Sequence, residues 1–287
     1  MTATVLMSSS TPVETTEALA TPAADAPVLP DGRRIERRRR VLYGAISILT
    51  VLAIYTLFTL RPDNNPAITP TPLDVVEALW NGFASGAIPT AILASLQRIG
   101  LGFLIGAGGG VVLGSLIGWF KPVEYFLDPL VEAIRPIPPL AYIPLILIWF
   151  GIEETSRVIV LTLACFVTCI VNVIAGMKEV PQVYVDAART LGASQMHIFR
   201  TVAIPAALPF IFTGLRIASA AAWTTLVAAE LLAAQDGLGF MLQQGRRYFL
   251  TDQVMAVIVV IGVLAFIIDR IFRIIQLRLT SWSEASR

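Results

Sequence analysis

Long apolar stretches occupy most of the sequence after residue 40, and each is about as long as a helix that crosses a lipid bilayer. A hydrocarbon core of ~30 Å needs about 20 residues at a rise of 1.5 Å per residue. The stretches that meet this requirement are 41–60, 90–120, 126–150, 158–177, 206–234 and 254–272. The sequence therefore predicts an all-α membrane protein with six transmembrane helices.

Composition excludes several other classes of protein. Hydrophobic residues make up 56% and charged residues 14% of the chain, against about 25% charged in soluble domains. The net charge of +1 gives no electrostatic basis for binding nucleic acid. One histidine and two cysteines cannot form the usual zinc or iron–sulfur sites, so no metal is predicted. The sequence contains no GxxxxGK[ST], HExxH or GxSxG motif, so we expect no catalytic residues.

Residues 1–40 are predicted to form a disordered cytoplasmic tail with a polybasic end, and residues 41–287 the transmembrane domain. The first 30 residues are rich in Thr, Ser, Ala and Pro and lack any periodicity that could bury a core. Arg33, Arg34 and Arg37 to Arg40 directly precede the first apolar stretch. A signal peptide has its positive charge before an apolar stretch that lies within the first ~30 residues. We therefore interpret the arginine cluster as the group that orients the first helix in the membrane. This role is favoured over that of a cleaved signal peptide and over nucleic-acid binding.

The distribution of basic residues predicts that both termini are cytoplasmic. Lys and Arg are enriched on the cytoplasmic side of membrane proteins, and this orientation places most of the 21 basic residues inside. Arg246 and Arg247 are exceptions to this distribution, because they fall in the last outer loop. The outer segment 72–86 has apolar residues on a helical spacing and is predicted to be an interfacial amphipathic helix with Trp80 at the headgroups.

Glycine recurs every fourth residue along the second predicted helix. The glycines are Gly102, Gly106, Gly110, Gly114 and Gly118. A stripe without side chains lets a neighbouring helix approach closely, which is how small residues promote helix packing in lipid. We therefore predict a helix-packing role for these glycines, and we interpret Cys165 and Cys169 as small packing residues.

The cytoplasmic segment 178–205 is predicted to form two short helices. Pro181 can open the first, Gly192 breaks it, and Ser194 can cap the second, which extends through Phe199. The segment would expose Val183, Leu191, Met196, Ile198 and Phe199. Its spacing alone leaves open whether it folds back on its own helices, lies on the bilayer or binds a partner.

Ionisable residues inside a membrane mark transport pathways by default. The candidates are Arg98, Arg135, Arg216 and Glu230. Glu132 can neutralise Arg135, three residues away, and Arg216 can extend to the inner surface. Arg98 has no carboxylate within one helical turn, so it either attracts an anion or pairs with Glu230 of another helix. Prolines after Arg135 leave backbone carbonyls without helical hydrogen bonds, and such carbonyls are tolerated in a membrane only against protein or a water-filled cavity. This favours a position of the third helix along the transport pathway.

Part of the cytoplasmic segment resembles the signature of permease subunits of bacterial ABC importers. That signature reads EAA, three residues, G, nine residues and I-x-L-P. Here Asp186-Ala187-Ala188 is followed by Gly192 and by Val202-Ala203-Ile204-Pro205, with only conservative departures. Further stretches are similar to the branch that imports nitrate, taurine, alkanesulfonate and bicarbonate: SLQRIGLGF (95–103), LVEAIRPIPPLAYIPLILIWFG (130–151), AALPFIFTGLR (206–216), and AELL followed by GLGF (229–240).

The resemblance, which covers residues 70–280, implies a type I importer in a bacterial inner membrane. Two permease subunits, here a homodimer, would work with two cytoplasmic ATPase subunits that bind ATP and Mg²⁺ and with an external solute-binding protein. The segment 178–205 would be the coupling loop that docks on the ATPase. Its coupling residues would be Asp186, Ala187, Ala188, Gly192, Phe199 and Pro205. The solute would be a small oxyanion.

Two other classes of protein stay open as alternatives. An ion-coupled secondary carrier could use Glu230 and Arg98, with Asp269 as a further relay, but no inverted repeat supports it. A membrane-embedded enzyme would need clustered nucleophiles, carboxylates or histidines, which the sequence does not provide.

Overall fold

The computed structural model describes residues 32–280 except 62, 64 and 66, and all regular elements in these residues are helical. Contacts divide the chain into two units, residues 1–55 and 56–287. The helices are α1 (Gly32–Thr59), α2 (Pro72–Ala84), α3 (Ala87–Trp119), α4 (Lys121–Ile134), α5 (Ile143–Phe150), α6 (Glu154–Lys178), α7 (Gln182–Thr190), α8 (Gln195–Ile198), α9 (Ile204–Ala233), α10 (Leu238–Arg247) and α11 (Thr251–Leu279). A 3₁₀ turn (Pro139–Tyr142) precedes α5, and a π-helical segment (Phe199–Ala203) joins α8 to α9.

α1 begins earlier than the predicted span. The prediction placed residues 32–40 in a disordered tail, but the helix already begins at Gly32. Arginine is a good helix former, so the polybasic stretch can continue the helix of the apolar span. The side chains from Leu42 to Ile54 are all exposed, as expected for a helix that is apolar on all sides and lies in lipid. The rest of the predicted tail, residues 1–31, lies outside the described residues.

Among the residues that the structure describes, five helical segments are long and apolar enough to cross a membrane, and a bent pair can supply a sixth crossing. The pair consists of Lys121–Ile134 and Pro139–Phe150, which meet at 80°. The predicted span over 126–150 is therefore present as a bent pair broken at its prolines, and it begins earlier than predicted, at Lys121. Pro136, Pro138 and Pro139 cannot donate backbone hydrogen bonds, and each restricts the residue before it, so the helix breaks between α4 and α5.

The glycine stripe of α3 lies against α6. A Cβ added at Gly110 would lie 2.9 Å from the Cβ of Cys169, and one added at Gly114 would lie 2.9 Å from the Cβ of Val173. Gly108, on another side of the same helix, would meet no atom within 4 Å. Gly102, Gly106 and Gly118 face α6 in the same way. The two backbones therefore pack closely, and Cys165 and Cys169 are free thiols buried in this contact.

Residue numbers rise together along the contact between α3 and α6, so the two helices run parallel. Gly102 lies opposite Leu161, and Gly118 lies opposite Met177. The chain between them must return to the end where α3 began, which α4 and α5 do together. We call this the distal end. Helix α2, capped by Thr71 and Asp74, lies there with Trp80 exposed. The opposite end, which carries α7 and α8, is called the loop end.

Candidate functional site

The turn between α7 and α8 follows from one glycine. Gly192 has φ +79°, in the left-handed region that favours glycine. Its N–H donates to the Arg189 carbonyl at 2.9 Å, and the Ala193 N–H donates to the Ala188 carbonyl at 3.1 Å. This is the pair of hydrogen bonds of a Schellman motif. The predicted helix break at Gly192 is confirmed, and the turn fixes the direction in which the chain leaves α7.

Helix α8 is capped as predicted but does not end at Phe199. Ser194 precedes α8, and its hydroxyl accepts a hydrogen bond from the His197 N–H at 3.3 Å. The helical backbone then continues through the π-helical segment into α9, with the Ile204 N–H donating to the Phe199 carbonyl. Pro205 has no N–H and its ring would clash with the carbonyl four residues earlier, which explains the irregular segment. The loop is therefore continuous with a membrane helix.

The exposed face of this loop is apolar at its centre. Val183 and Tyr184 are 67% and 59% exposed, Leu191 is 88% exposed, and Met196 is also exposed. Asp186 and Ala187 are exposed beside them. These six residues are called the α7–α8 surface. An exposed apolar patch of this kind marks a surface that contacts either another protein or lipid.

Two residues predicted on this surface lie elsewhere. Ile198 is fully buried in the main core. Phe199 is half-buried, with its ring 5.2 Å from that of Phe120 and 6.2 Å from that of Trp119. The prediction that both are exposed is wrong, because α8 continues into α9 and turns these side chains toward the bundle. Phe199 instead connects the loop to the α3–α4 junction.

The other predicted coupling residues differ in how far they are exposed. Ala188 is half-buried against the core. Gly192 is exposed at the turn, and Pro205 is half-buried in the first turn of α9. Asp186 pairs with Arg189 at 3.3 Å, and both side chains are exposed. An exposed pair of this kind contributes little stability, so the charge of Asp186 is available to a partner.

A buried ion cluster lies at the distal end around Arg98, which is only 3% exposed. Its Nη1 donates to Glu230 Oε1 at 2.5 Å. Its Nε and Nη2 donate to the two oxygens of Glu154 at 2.7 and 2.6 Å. Nη2 also contacts the Asp236 carboxylate, and Arg157 pairs with Glu154. The cluster thereby connects α3, α6, α9 and the α9–α10 loop.

The same cluster fixes the backbone of the α9–α10 loop. The Ser95 hydroxyl donates to Glu230 at 2.9 Å and accepts from the Leu238 N–H at 2.9 Å. The Gly239 N–H donates to Glu230 Oε2 at 2.7 Å. Gly237 has φ +101°, and a Cβ there would lie 2.6 Å from Arg98 Nη1. Only glycine fits this position, so the loop passes directly over the guanidinium.

The cluster bears on the role of Arg98. The sequence left open an anion-attracting cation or a pair with Glu230, and the structure contains the pair. Three carboxylates contact Arg98, and with Arg157 the group holds more negative than positive side chains. An anion in the pathway would therefore meet no excess positive charge at Arg98. The Glu230 carboxylate accepts hydrogen bonds from Arg98, Ser95 and the Gly239 N–H.

The two remaining pathway candidates differ in their surroundings. Arg216 pairs with Asp269 of α11 at 2.9 Å rather than extending alone to the surface. Arg135 lies exposed where α4 ends, and within the described residues it forms no ion pair with Glu132. That predicted pair is wrong, and the gain from such a contact between exposed residues is at most a few tenths of a kcal/mol.

Sequence reasoning missed several members of these sites. Glu154 and Asp236 pair with Arg98 across 56 and 138 positions in the chain, and Ser95 donates to Glu230 across 135 positions. Only the position of Ser95 one turn before Arg98 signals a shared helix face. Tyr184 was also missed, although it follows Val183 and precedes Leu191 by two helical turns.

Comparison with known proteins gives consistent matches. A family model described as "Binding-protein-dependent transport system inner membrane component" matches residues 110–281. The taurine transport system permease protein TauC of Escherichia coli (strain K12) is 40% identical over 253 residues, covering 86% of this chain and 91% of TauC. The putative aliphatic sulfonates transport permease protein SsuC of Bacillus subtilis (strain 168) is 31% identical and covers 84% of this chain and 88% of SsuC.

Further matches agree in family and in fold. The nitrate import permease protein NrtB of Synechocystis sp. is 30% identical, covering 83% of this chain and 88% of NrtB. A chain of the MetNI methionine ABC transporter, solved in inward-facing conformations, is similar in fold with a TM-score of 0.50 and 22% identity, covering 74% of this chain and 98% of that chain. None of these matches supports an ion-coupled carrier. This chain therefore belongs to the binding-protein-dependent transport system inner membrane components, the permease subunits of ABC importers, which are not themselves enzymes.

Proposed function

We propose that this permease imports a small oxyanion of the class that includes taurine, alkanesulfonates, nitrate and bicarbonate. The observation that carries the proposal is the 40% identity with TauC, a permease named for taurine transport, over most of both chains. SsuC and NrtB, named for sulfonate and nitrate transport, support the same class. Sulfonate and nitrate groups share a compact negative charge spread over several oxygen atoms.

The α7–α8 surface docks on the ATPase subunit in this proposal. Its exposed apolar side chains, above all Leu191, need a partner that removes them from water. Ala187, Ala188 and Gly192 are small and allow close approach. ATP and Mg²⁺ bind to the ATPase, and this chain needs no cofactor of its own. Because α8 is continuous with α9, movement of the docked loop is transmitted directly to a membrane helix.

A second copy of the permease completes the complex, with two ATPase subunits and one solute-binding protein. The break between α4 and α5 supports this arrangement. Residues 135–138 are exposed there in the single chain, although non-helical backbone at membrane depth is tolerated only against protein or a wet cavity. A second copy, with the pathway between the copies, covers this break and places Arg135 at its edge.

The loop end faces the cytoplasm in this proposal, with both termini on the same side. Gln195→Cys, an exposed position that leaves the Ser194 cap intact, should react with an impermeant thiol reagent only after cells are permeabilised. The matched variant Ser85→Cys, exposed at the distal end, should react in intact cells. Labelling of Gln195→Cys from outside would reverse the proposed orientation.

The solute class is tested with the whole transporter. The permease, its ATPase and its binding protein are reconstituted in vesicles, and uptake of each labelled solute is measured separately with and without ATP. Taurine, an alkanesulfonate, nitrate and bicarbonate are the oxyanion solutes, and a neutral amino acid and a polyamine are the controls. We expect ATP-dependent uptake of at least one of the four oxyanion solutes. Uptake of only neutral or cationic solutes would refute the proposal.

A further inference from the structure

Arg246 and Arg247 end α10 at the distal end of the bundle. This is the side on which basic residues are normally depleted. Both side chains are exposed, and among the described residues neither forms an ion pair. Their position opposes the general distribution of charge, which indicates a specific use for at least one of them.

The two arginines differ in their surroundings, although they are neighbours. Arg247 lines a cavity of about 170 Å³ between the end of α9 and α10, and Arg246 does not. Gln243, Gln244 and Tyr248 supply further polar groups to the wall, and Leu231 and Phe240 supply apolar surface. No carboxylate is among its described lining residues. The volume is large enough for a nitrate or a small sulfonate.

Other polar features of the distal end have the opposite charge. A larger cavity, of about 730 Å³, is lined by Asp74, Glu77 and Asp252 and by no lysine or arginine of the described chain. The cluster around Arg98 also has more carboxylates than arginines. A small anion that reaches this end therefore finds favourable charge at the Arg247 cavity and repulsion at these two places.

We infer that the cavity lined by Arg247, Gln243, Gln244 and Tyr248 binds the oxyanion group of the solute when the solute enters the permease. The inference rests on the proposed function and adds the residues that recognise the anion. A guanidinium presents two parallel N–H donors to two oxygens of a sulfonate or nitrate. The side-chain amides and the phenol add donors, while the open, half-exposed wall keeps binding weak enough for release.

The test compares two neighbouring substitutions in the complete transporter. Arg247→Gln and Arg246→Gln remove the same charge from the same helix turn, so they change the field of α10 equally. We expect maximal uptake of the oxyanion solute to fall about tenfold or more in Arg247→Gln, the loss of a charge-assisted hydrogen bond, and to stay within about twofold of wild type in Arg246→Gln. Arg247→Lys keeps the positive charge but lacks the two parallel N–H donors of the guanidinium, and it should give intermediate uptake.

A second readout separates solute binding from docking of the binding protein. The concentration of solute-loaded binding protein that gives half-maximal uptake should be unchanged in Arg247→Gln. If that concentration rises while maximal uptake is kept, Arg247 belongs to a docking surface and the inference is wrong. Equal uptake by the Arg246→Gln and Arg247→Gln variants also overturns it. Failure of the wild-type transporter to import any oxyanion would refute the proposed function itself. This measurement uses the wild type alone, so it is distinguished from failure of the inference, which is measured with the variants.

Discussion

Uptake should be lost, while ATP hydrolysis by the assembled complex is kept, when Gly192 is replaced by valine. The backbone of Gly192 has φ +79°, and a residue with a Cβ costs about 1–2 kcal/mol there, more when it is β-branched. A Cβ would meet no atom of this chain within 4 Å, so the effect comes from the backbone alone. Relaxing the strain opens the turn and moves the α7–α8 surface away from its direction of docking.

The measurements are uptake and ATP hydrolysis of the same purified complex. Gly86→Val is the matched control, because Gly86 has φ +78°, also lacks neighbours within 4 Å, and lies at the distal end. It should destabilise the protein to a similar degree and leave hydrolysis coupled to uptake. Wild-type uptake in Gly192→Val would show that the turn at Gly192 is not needed for coupling. Equal uncoupling in Gly192→Val and Gly86→Val would show that the effect comes from general backbone strain.

Features that depend on a few neighbouring residues could be predicted from the sequence. The helix break at Gly192, the cap at Ser194 and the amphipathic α2 each follow from local backbone and side-chain chemistry, and each is present. The α4–α5 break was located by its prolines, but its angle of 80° was not predictable, since proline removes a hydrogen bond without fixing where the chain goes next.

Features that depend on tertiary contacts could not be predicted. The exposed position expected for Ile198 was wrong because the π-helical segment after it alters the phase between α8 and α9. The partners Glu154 and Asp236 of Arg98 lie in a helix start and a loop, where no periodicity places a side chain on a given face. Only Glu230, inside a predicted span and thus in need of a counter-ion, could be proposed as a partner.

Arg98→Gln should destabilise the assembled protein far more than the removal of a partly exposed arginine does. Glu230 has a fully buried side chain and loses its nearest positive partner, and breaking a buried pair on one side costs about 3–5 kcal/mol. The control is Arg216→Gln, whose pair with Asp269 is partly exposed and whose loss should cost about 1 kcal/mol or less. Thermal unfolding of the purified complex measures both variants. A loss no larger than that of Arg216→Gln would contradict the assignment of a buried structural cluster.

The double variant Arg98→Gln/Glu230→Gln distinguishes a structural pair from a solute-binding cation. It removes the uncompensated buried charge, while Glu154 and Asp236, whose side chains are 58% and 57% exposed, keep contact with water. We therefore expect it to recover part of the stability lost in Arg98→Gln and, with it, uptake of the oxyanion. Recovery of stability without recovery of uptake would instead assign Arg98 to the anion pathway. Because three carboxylates already contact its guanidinium, the structure favours the first outcome and leaves recognition of the anion to a cation without such partners.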